Sequence, residues 1–354
     1  MDFSLFYFAN DSTEQTADPY QLLLEGARFA DRNGFTAVWT PERHFHPFGG
    51  LYPNPSVTSA AIATVTERVK IRAGSVVAPL HHPLRIAEEW SVVDNLSNGR
   101  VGVSFASGWH AIDFAFSPAS YEDRRAQVET CVEQVRSLWR GEKLEVLDGH
   151  GNPQQVGIFP APIQREIPIW ITSSGQIETF RKAGRLGAGL LTHLLGQNPD
   201  QLATKIDAYR SAVAERDGNN GWPGHVVLMV HTCLGQREDE TKELVRRPMC
   251  DYLRSSLGLW LSSQVDGGPA IDPATLRPAD VEVLVTHAFD RYYNDGALLG
   301  TVEKVHKLVD RFRAMGVDEL ACLIDFGVPT AAVLSNLEHL NALRELSDSR
   351  ARVS

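Results

Sequence analysis

The chain has 354 residues, of which 43% are hydrophobic and 22% are charged, and its net charge is −10 at pH 7. These proportions are those of an ordinary globular protein with a sizeable core, and a negative chain without Lys/Arg runs is not a general binder of nucleic acid or anionic membranes. The four cysteines have no CxxC spacing, so we expect reduced thiols in a cytoplasmic protein, without a zinc knuckle or a disulfide framework. No apolar stretch approaches ~18 residues, so we expect no membrane span.

Apolar runs of strand type alternate along the chain with segments of helical periodicity. The predicted strands are 2–8, 35–39, 69–78, 101–105, 167–171, 189–193, 225–234 and 319–324. The predicted helices are 19–33, 56–67, 83–96, 121–140, 176–186, 199–216, 301–315 and 330–345. Segments 141–167 and 238–298 interrupt the alternation, after strands four and seven, and we interpret them as loop insertions. Eight strands alternating with helices predict one α/β domain over 1–354, a closed (β/α)8 TIM barrel.

Polar side chains gather where the predicted strands end, which is where barrels of this class carry their functional groups. In the third unit, a strand with the small pair Gly74-Ser75 delivers two histidines before a helix that begins at Pro83. A small pair in mid-strand fits a bulge or the close approach of a ligand. The strand-end candidates are Glu42, Arg43, His44, His46, His81, His82, Ser107, Gly108, Trp109, His110, Thr172, Ser173, Ser174, Gly175, Thr192, His193 and Asp325.

One chemistry that could use this set is a metal site. The pair His44-x-His46, other strand-end histidines and the late Asp325 are similar to the ligands of a barrel metallohydrolase, and imidazole with carboxylate suits zinc. However, His46 is followed by Pro47 within a loop, so the two imidazoles need not share one face. We therefore predict no metal site and keep the metallohydrolase as an alternative.

The other chemistry is a flavin site. The turn 172–176, Thr-Ser-Ser-Gly-Gln, precedes a helix, where backbone N–H groups and hydroxyls can hold a phosphate, although the same serines could simply cap the helix. Small residues at Gly74, Ser75 and Gly108, with Trp109 beside them, would leave a slot for a planar ring. No strand is followed by GxGxxG, so the sequence does not favour a dinucleotide fold.

Several separate motifs resemble the bacterial luciferase family of flavin-dependent monooxygenases. They are Glu42-Arg-His-Phe with Phe48-Gly and Asn54-Pro, then Pro79-Leu-His-His-Pro-Leu-Arg-Ile-Ala-Glu with Asp94-Asn-Leu-Ser-Asn-Gly-Arg. Three further motifs are similar to the subgroup of natural-product clusters, the mupirocin-pathway type. They are Phe105-Ala-Ser-Gly-Trp-His with Asp113-Phe, Pro168-Ile-Trp-Ile-Thr-Ser-Ser-Gly, and Gly189-Leu-Leu-Thr-His-Leu-Leu-Gly-Gln. The likeness extends from residue 2 to about 345.

The resemblance implies an enzyme that uses reduced FMN, delivered by a separate flavin reductase, and O2. A flavin C4a-hydroperoxide would oxidise a natural-product intermediate, free or tethered to a carrier protein. The resemblance also implies a homodimer and a non-prolyl cis peptide at Gly74–Ser75. The long segment 238–298 lies where family members keep a mobile loop over the site, so we interpret it as a lid that excludes water.

Carried over position by position, the resemblance also assigns the site. Ser107, Gly108 and Trp109 lie beside the flavin with Gly74 and Ser75, and His193 is a further cofactor-binding candidate. The phosphate loop consists of Ser173, Ser174, Gly175, Gln176 and Thr179. His44 matches the second histidine of the family's pair and is a candidate general base, whereas Arg43 stands in place of the first. An arginine stays cationic and could stabilise an anion but cannot serve as a base.

Two further alternatives remain open at this point. An oxidoreductase of the same fold could use the deazaflavin F420 for hydride transfer, and a non-catalytic protein could bind FMN without consuming O2.

Overall fold

The computed structural model describes residues 1–8, 18–255 and 275–351. Its strands are β1 (Asp2–Phe6), β2 (Ala37–Thr40), β3 (Lys70–Val77), β4 (Val101–Ala106), β5 (Leu144–Leu147), β6 (Pro153–Val156), β7 (Ile169–Thr172), β8 (Gly189–His193), β9 (Val226–Leu234), β10 (Leu298–Gly300) and β11 (Glu319–Leu323). Its helices are α1 (Gln21–Arg32), α2 (Pro55–Ala63), α3 (Pro83–Ser97), α4 (Arg124–Trp139), α5 (Ile177–Arg185), α6 (Pro199–Glu215), α7 (Glu238–Ser255), α8 (Pro278–Arg291), α9 (Val302–Ala314) and α10 (Thr330–Ala351).

Eight parallel strands close into a barrel, which confirms the predicted fold. Their order is β1-β2-β3-β4-β7-β8-β9-β11, and β11 pairs with β1 to complete the ring. The barrel strands are apolar and almost wholly buried, because helices cover their outer face and side chains fill the inside. β10 adds a short parallel pairing to the carboxyl end of β9.

The helix boundaries follow local sequence signals. α3 begins at Pro83, a favoured first residue, and ends at Asn98 in the left-handed conformation. α6 begins with a capping box between Asn198 and Gln201. The last helix continues to residue 351, beyond the predicted end at 345, because no glycine or proline interrupts the chain there.

The two segments that break the alternation contain regular structure. Within 141–167, β5 and β6 form an antiparallel hairpin. Within 238–298, the structure has α7, α8, one π turn at 292–296 and β10. Residues 256–274, the middle part of the predicted lid, lie outside the described residues.

A buried ion pair fills the barrel interior near the amino ends of the strands. Arg72 lies 2.7 Å from Glu319, and its guanidinium carbon lies 4.9 Å and 4.5 Å from the ring centroids of Trp39 and Trp170. Ser4 donates a further hydrogen bond of 2.6 Å to the same carboxylate. These side chains close the barrel at that end, so an interior site is reached from the carboxyl ends of the strands.

Among the described residues, no helix is both long enough and apolar enough for a membrane crossing. The four cysteines are unpaired. Burial raises the pKa of Cys131 and of Cys322 to about 12, so these two thiols stay protonated at neutral pH.

Candidate functional site

A buried carboxylate joins two of the strand-end histidines. Glu42, which follows β2, accepts hydrogen bonds through one oxygen from Nε2 of His44 at 2.9 Å and from Nε2 of His81 at 2.5 Å. Its other oxygen accepts the backbone N–H of Val77 at 2.6 Å. An ionised carboxylate only accepts hydrogen bonds, so both imidazoles carry a proton on Nε2, and Nδ1 of each is the nitrogen that exchanges protons.

The charges of this cluster stabilise one another. Burial alone would raise the pKa of Glu42, but hydrogen bonds from His44, His81 and the amide of Val77 hold that pKa below its usual value. For His81, burial alone would lower the pKa, yet the hydrogen bond and the charge of Glu42 raise this pKa above its usual value. The Glu42 side chain is fully buried, whereas that of His81 is 28% exposed. The pair is therefore an anion and a readily protonated imidazole at the rim of the barrel.

Arg43 is buried and paired with an acid. One of its terminal nitrogens lies 2.7 Å from each carboxylate oxygen of Asp113, which is held on the 3₁₀ turns after β4. Its guanidinium carbon also lies 5.1 Å from the ring centroid of Trp109. Burial, and then the charge of Arg43, lower the pKa of the neighbouring His110. The charge of Arg43 is thus largely committed to Asp113, which favours a positioning role over direct stabilisation of an anion.

The peptide bond between Gly74 and Ser75 is cis, as the resemblance implies. The register between β3 and β4 shifts at this point, and the Ser75 hydroxyl is hydrogen-bonded to the hydroxyl of Thr172. Ser104 on β4 joins the same group, with its hydroxyl 2.6 Å from that of Thr172. Three adjacent strands, β3, β4 and β7, therefore share one hydroxyl network at their carboxyl ends.

Two glycines of the predicted slot pack closely against other side chains. A Cβ on Gly74 would lie 2.7 Å from the ring of Phe6, and one on Gly108 would lie 2.9 Å from Phe114 and from Val77. Gly108 also has a positive φ of 73°, which favours glycine. These glycines are needed for close packing, and their contact with a cofactor stays a prediction.

The turn between β7 and α5 has the character of an anion cradle. Gln176 is the N-cap of α5 but its side chain makes no capping hydrogen bond, and a Cβ on Gly175 would meet nothing within 4 Å. Within the described part of the chain, the Ser173 and Ser174 hydroxyls make no hydrogen bond. The ammonium of Lys205, on α6, lies 2.9 Å from the carbonyl oxygen of Ser174. Free N–H groups, free hydroxyls and a cation meet here, as anion binding requires.

Two other histidines near this end of the barrel are neutral. Burial, and then the charge of Lys205, lower the pKa of His193 to about 4, and Nδ1 of His193 accepts the N–H of Leu195 at 3.2 Å. Burial, and then His193, lower the pKa of His231 on β9 to about 3. His193 therefore presents Nε2–H as a hydrogen-bond donor.

The residues weighed for a metal site are engaged otherwise. Nε2 of His44 donates to Glu42, Nδ1 of His46 accepts the N–H of Phe48 at 3.0 Å, and Asp325 accepts from Phe8 N–H at 2.6 Å and Tyr52 O–H at 3.1 Å. One cluster with metal-ligand spacing occurs among the described residues, consisting of Asp2, His225 and Glu319. It lies at the opposite end of the barrel, where Glu319 already binds Arg72.

The geometry gives partners to residues for which the sequence predicted no individual role. Glu42, His81 and Thr172 were strand-end candidates because they follow apolar runs directly. Asp113 stood only in a family motif and Lys205 was not selected, because they lie on a 3₁₀ turn and in mid-helix. Their roles depend on packing between elements distant in the chain.

Comparisons with known proteins agree with this geometry. Residues 1–319 match the family model described as luciferase-like monooxygenase. The oxygenase component of flavin-dependent trigonelline monooxygenase from Acinetobacter baylyi is 24% identical over 347 residues, covering 96% of this chain and 93% of that protein.

Solved structures share the fold over nearly the whole chain. Monooxygenase RslO1 from Streptomyces bottropensis has a TM-score of 0.80 at 23% identity and covers 97% of this chain and 98% of its own. The oxygenating constituent of 3,6-diketocamphane monooxygenase from Pseudomonas putida, a complex with FMN, has a TM-score of 0.72 at 18% identity, with 96% of each chain covered.

Proposed function

Because the chain belongs to the luciferase-like monooxygenase family, we propose that it is a flavin-dependent monooxygenase that uses reduced FMN and O2. The observation that carries this proposal is the cradle at the amino end of α5, with its uncapped N-cap, the open side of Gly175 and the nearby ammonium of Lys205. An FMN phosphate matches this donor set in charge and in hydrogen-bonding capacity.

The residues present fit a flavin mononucleotide. Ser173, Ser174, Gly175 and the first turn of α5, including Thr179, would hold the phosphate, and His193 would donate through Nε2–H. Ser75, Ser107 and Trp109, at the ends of β3 and β4, would line the remainder of the cofactor site. Reduced FMN, when bound, supplies the electrons that activate O2.

This chain's own residues handle protons on the other side of the barrel mouth. Glu42 holds the proton of His44 on Nε2, so that Nδ1 of His44 can accept a proton from a substrate hydroxyl, amine or activated C–H group. His81, which shares the carboxylate and whose pKa is raised by it, is the group that can donate a proton. Arg43, fixed by Asp113, lies against the ring of Trp109 and is a positioning residue.

The substrate class, the separate reductase, the homodimer and the lid are proposed from the resemblance to the family. The motifs around Phe105 and Pro168 favour a natural-product intermediate as the substrate, free or attached to a carrier protein. The relative that is named an oxygenase component supports delivery of reduced flavin by a separate reductase. A homodimer and a lid over 238–298 belong to the same proposal.

The experiment is a pair of variants scored for two different properties. Ser174→Asp places a carboxylate in the cradle, so FMN affinity should fall at least tenfold by charge repulsion. Binding of F420, measured in parallel, shows whether FMN is the preferred cofactor. His44→Ala should keep FMN affinity and reduce substrate oxidation at least a hundredfold. An unchanged FMN dissociation constant in Ser174→Asp would move the cradle elsewhere, and tighter binding of F420 than of FMN would replace the oxygenase proposal by hydride transfer.

A further inference from the structure

A second cleft opens at the amino ends of the barrel strands, opposite the cofactor cradle. It has a volume of about 810 Å³ and is formed where β7, β8 and β9 begin and α4, α5 and α6 end. Small-molecule sites are typically clefts of about 300–1,000 Å³. We call it the amino-end cleft, and its lining includes Arg136, Arg140, Arg216, Ile167, Trp170 and Trp222.

The cleft is cationic in a chain whose net charge is −10. Arg140 is shared by two acids, with Nε 3.0 Å from Glu142 and one terminal nitrogen 3.8 Å from Glu166. Arg136 and Arg216 have no ion pair with a carboxylate among the described residues. Both lie against Gly187, so the two positive charges are close together.

The contacts at Gly187 show how these two charges are held. Arg136 donates to the carbonyl oxygens of Leu186 at 2.6 Å and Gly187 at 3.0 Å, beyond the carboxyl end of α5. A Cβ on Gly187 would lie only 2.6 Å from the guanidinium carbon of Arg216. Stabilisation of a helix carboxyl end explains Arg136, but it does not explain Arg216, whose buried Nε has no hydrogen-bond partner in the described part of the chain.

The charges of the cleft also act on one another. Burial, and then the charge of Arg216, lower the pKa of Arg136. An oxyanion bound between the two guanidinium groups would relieve this repulsion and satisfy the free donor. Guanidinium groups present donors in a planar fork that matches carboxylate and phosphate oxygens.

Part of the remaining wall of the cleft is apolar and aromatic, beside polar groups that include Glu166, Asn220 and His225. Ile167, Pro168 and Ile169 lead into β7, and the half-buried Trp222 lies on the loop before β9. A ligand that fits both parts has one anionic head and an apolar or aromatic body. A bare inorganic ion would leave the tryptophan wall uncovered.

We propose that the amino-end cleft binds a small organic acid, with its carboxylate or phosphate between Arg136 and Arg216 and its apolar body along Trp222. The site is separate from the cofactor cradle, because the two lie at opposite ends of the same strands, β7 and β8. Binding there does not depend on the identity of the flavin.

The test is calorimetric titration of the FMN-saturated protein with benzoate, phenyl phosphate and benzyl alcohol. Both acids should bind saturably and the neutral alcohol should not. The acid that binds more tightly shows whether the cleft prefers a carboxylate or a phosphate. Arg216→Gln should weaken the preferred acid at least tenfold, a change of about 1.4 kcal/mol. Arg247→Gln, on a side chain that is 93% exposed on α7, is the matched control and should bind as the parent does.

A second variant covers the case in which Arg216→Gln fails to fold. Trp222→Ala keeps every cation and should weaken both acids by removing the apolar wall. The proposal is overturned if neither acid binds, if Arg216→Gln and Trp222→Ala both bind as the parent does, or if binding is abolished by Ser174→Asp and kept by Arg216→Gln. The last result would place the acid in the cofactor cradle.

Discussion

Replacement of Glu42 by glutamine removes the charge at the centre of the histidine cluster while nearly preserving its shape. In the native chain, a fully buried carboxylate accepts from His44, His81 and the amide of Val77. The glutamine side chain can accept hydrogen bonds through one oxygen only. Its NH2 group would face one of the N–H donors that the carboxylate accepts in the native chain. Loss of one partner of a buried charged cluster costs roughly 3–5 kcal/mol, so we expect the free energy of unfolding to fall by about 3 kcal/mol after local relaxation.

The pH dependence of this loss follows from the two pKa shifts. The pKa of Glu42 is lowered, so its contribution is present above its ordinary value of 4.5 and is lost as the pH falls through the folded-state value. The pKa of His81 is raised, so its contribution is present below its ordinary value of 6.5 and is lost as the pH rises through the folded-state value. The difference between parent and Glu42→Gln should therefore be largest between pH 4.5 and 6.5.

Urea denaturation of parent and variant at several pH values measures the loss, and NMR titration of the His81 ring measures its cause. In Glu42→Gln the pKa of His81 should fall, because burial then acts without the neighbouring anion. Glu145→Gln, in the exposed hairpin, is the control and should change neither quantity. A His81 pKa that is the same in Glu42→Gln and parent would refute the account of this cluster.

Two other substitutions test separate parts of the site. Lys205→Met should weaken FMN binding about tenfold or more and reduce the salt dependence of that binding, since a charge-assisted contact is worth about 1.5–3 kcal/mol. Lys205→Arg keeps the charge and should keep most of the affinity. Equal FMN affinities in parent and both variants would remove Lys205 from the cradle. Asp113→Asn leaves the buried guanidinium of Arg43 without its carboxylate and should lower the free energy of unfolding by about 3 kcal/mol. Asp290→Asn, at an exposed position, is the control. Equal denaturation midpoints for the two variants would contradict the pairing of Arg43 with Asp113.

The barrel could be predicted because its signals are local. Each strand is a short apolar run, each helix has its own stop or start, and the alternation of the two specifies the class of fold. Strand-end position likewise brought His44, Ser173, Ser174 and His193 onto the list of candidates. Such signals need no knowledge of which strands are neighbours.

Contacts across the fold could not be predicted in the same way. Glu42 and His81 are 39 residues apart, and Arg43 and Asp113 are 70 apart, on elements whose distance depends on the closed barrel. The packing reason for a small residue at Gly74 could not be predicted either. A Cβ at this position would meet the ring of Phe6, on β1. A sequence pattern records that a residue is small but not which distant side chain needs the space.

The central claim is that the site binds reduced FMN and controls its reaction with O2. Rapid mixing of the reduced FMN–protein complex with oxygenated buffer, followed by the absorbance of oxidised FMN, tests it most directly. The account predicts that oxidised FMN returns after a lag that free reduced FMN does not have, and that the lag shortens in Ser174→Asp as FMN dissociates. Return of oxidised FMN without a lag, from protein that binds FMN tightly, would contradict it.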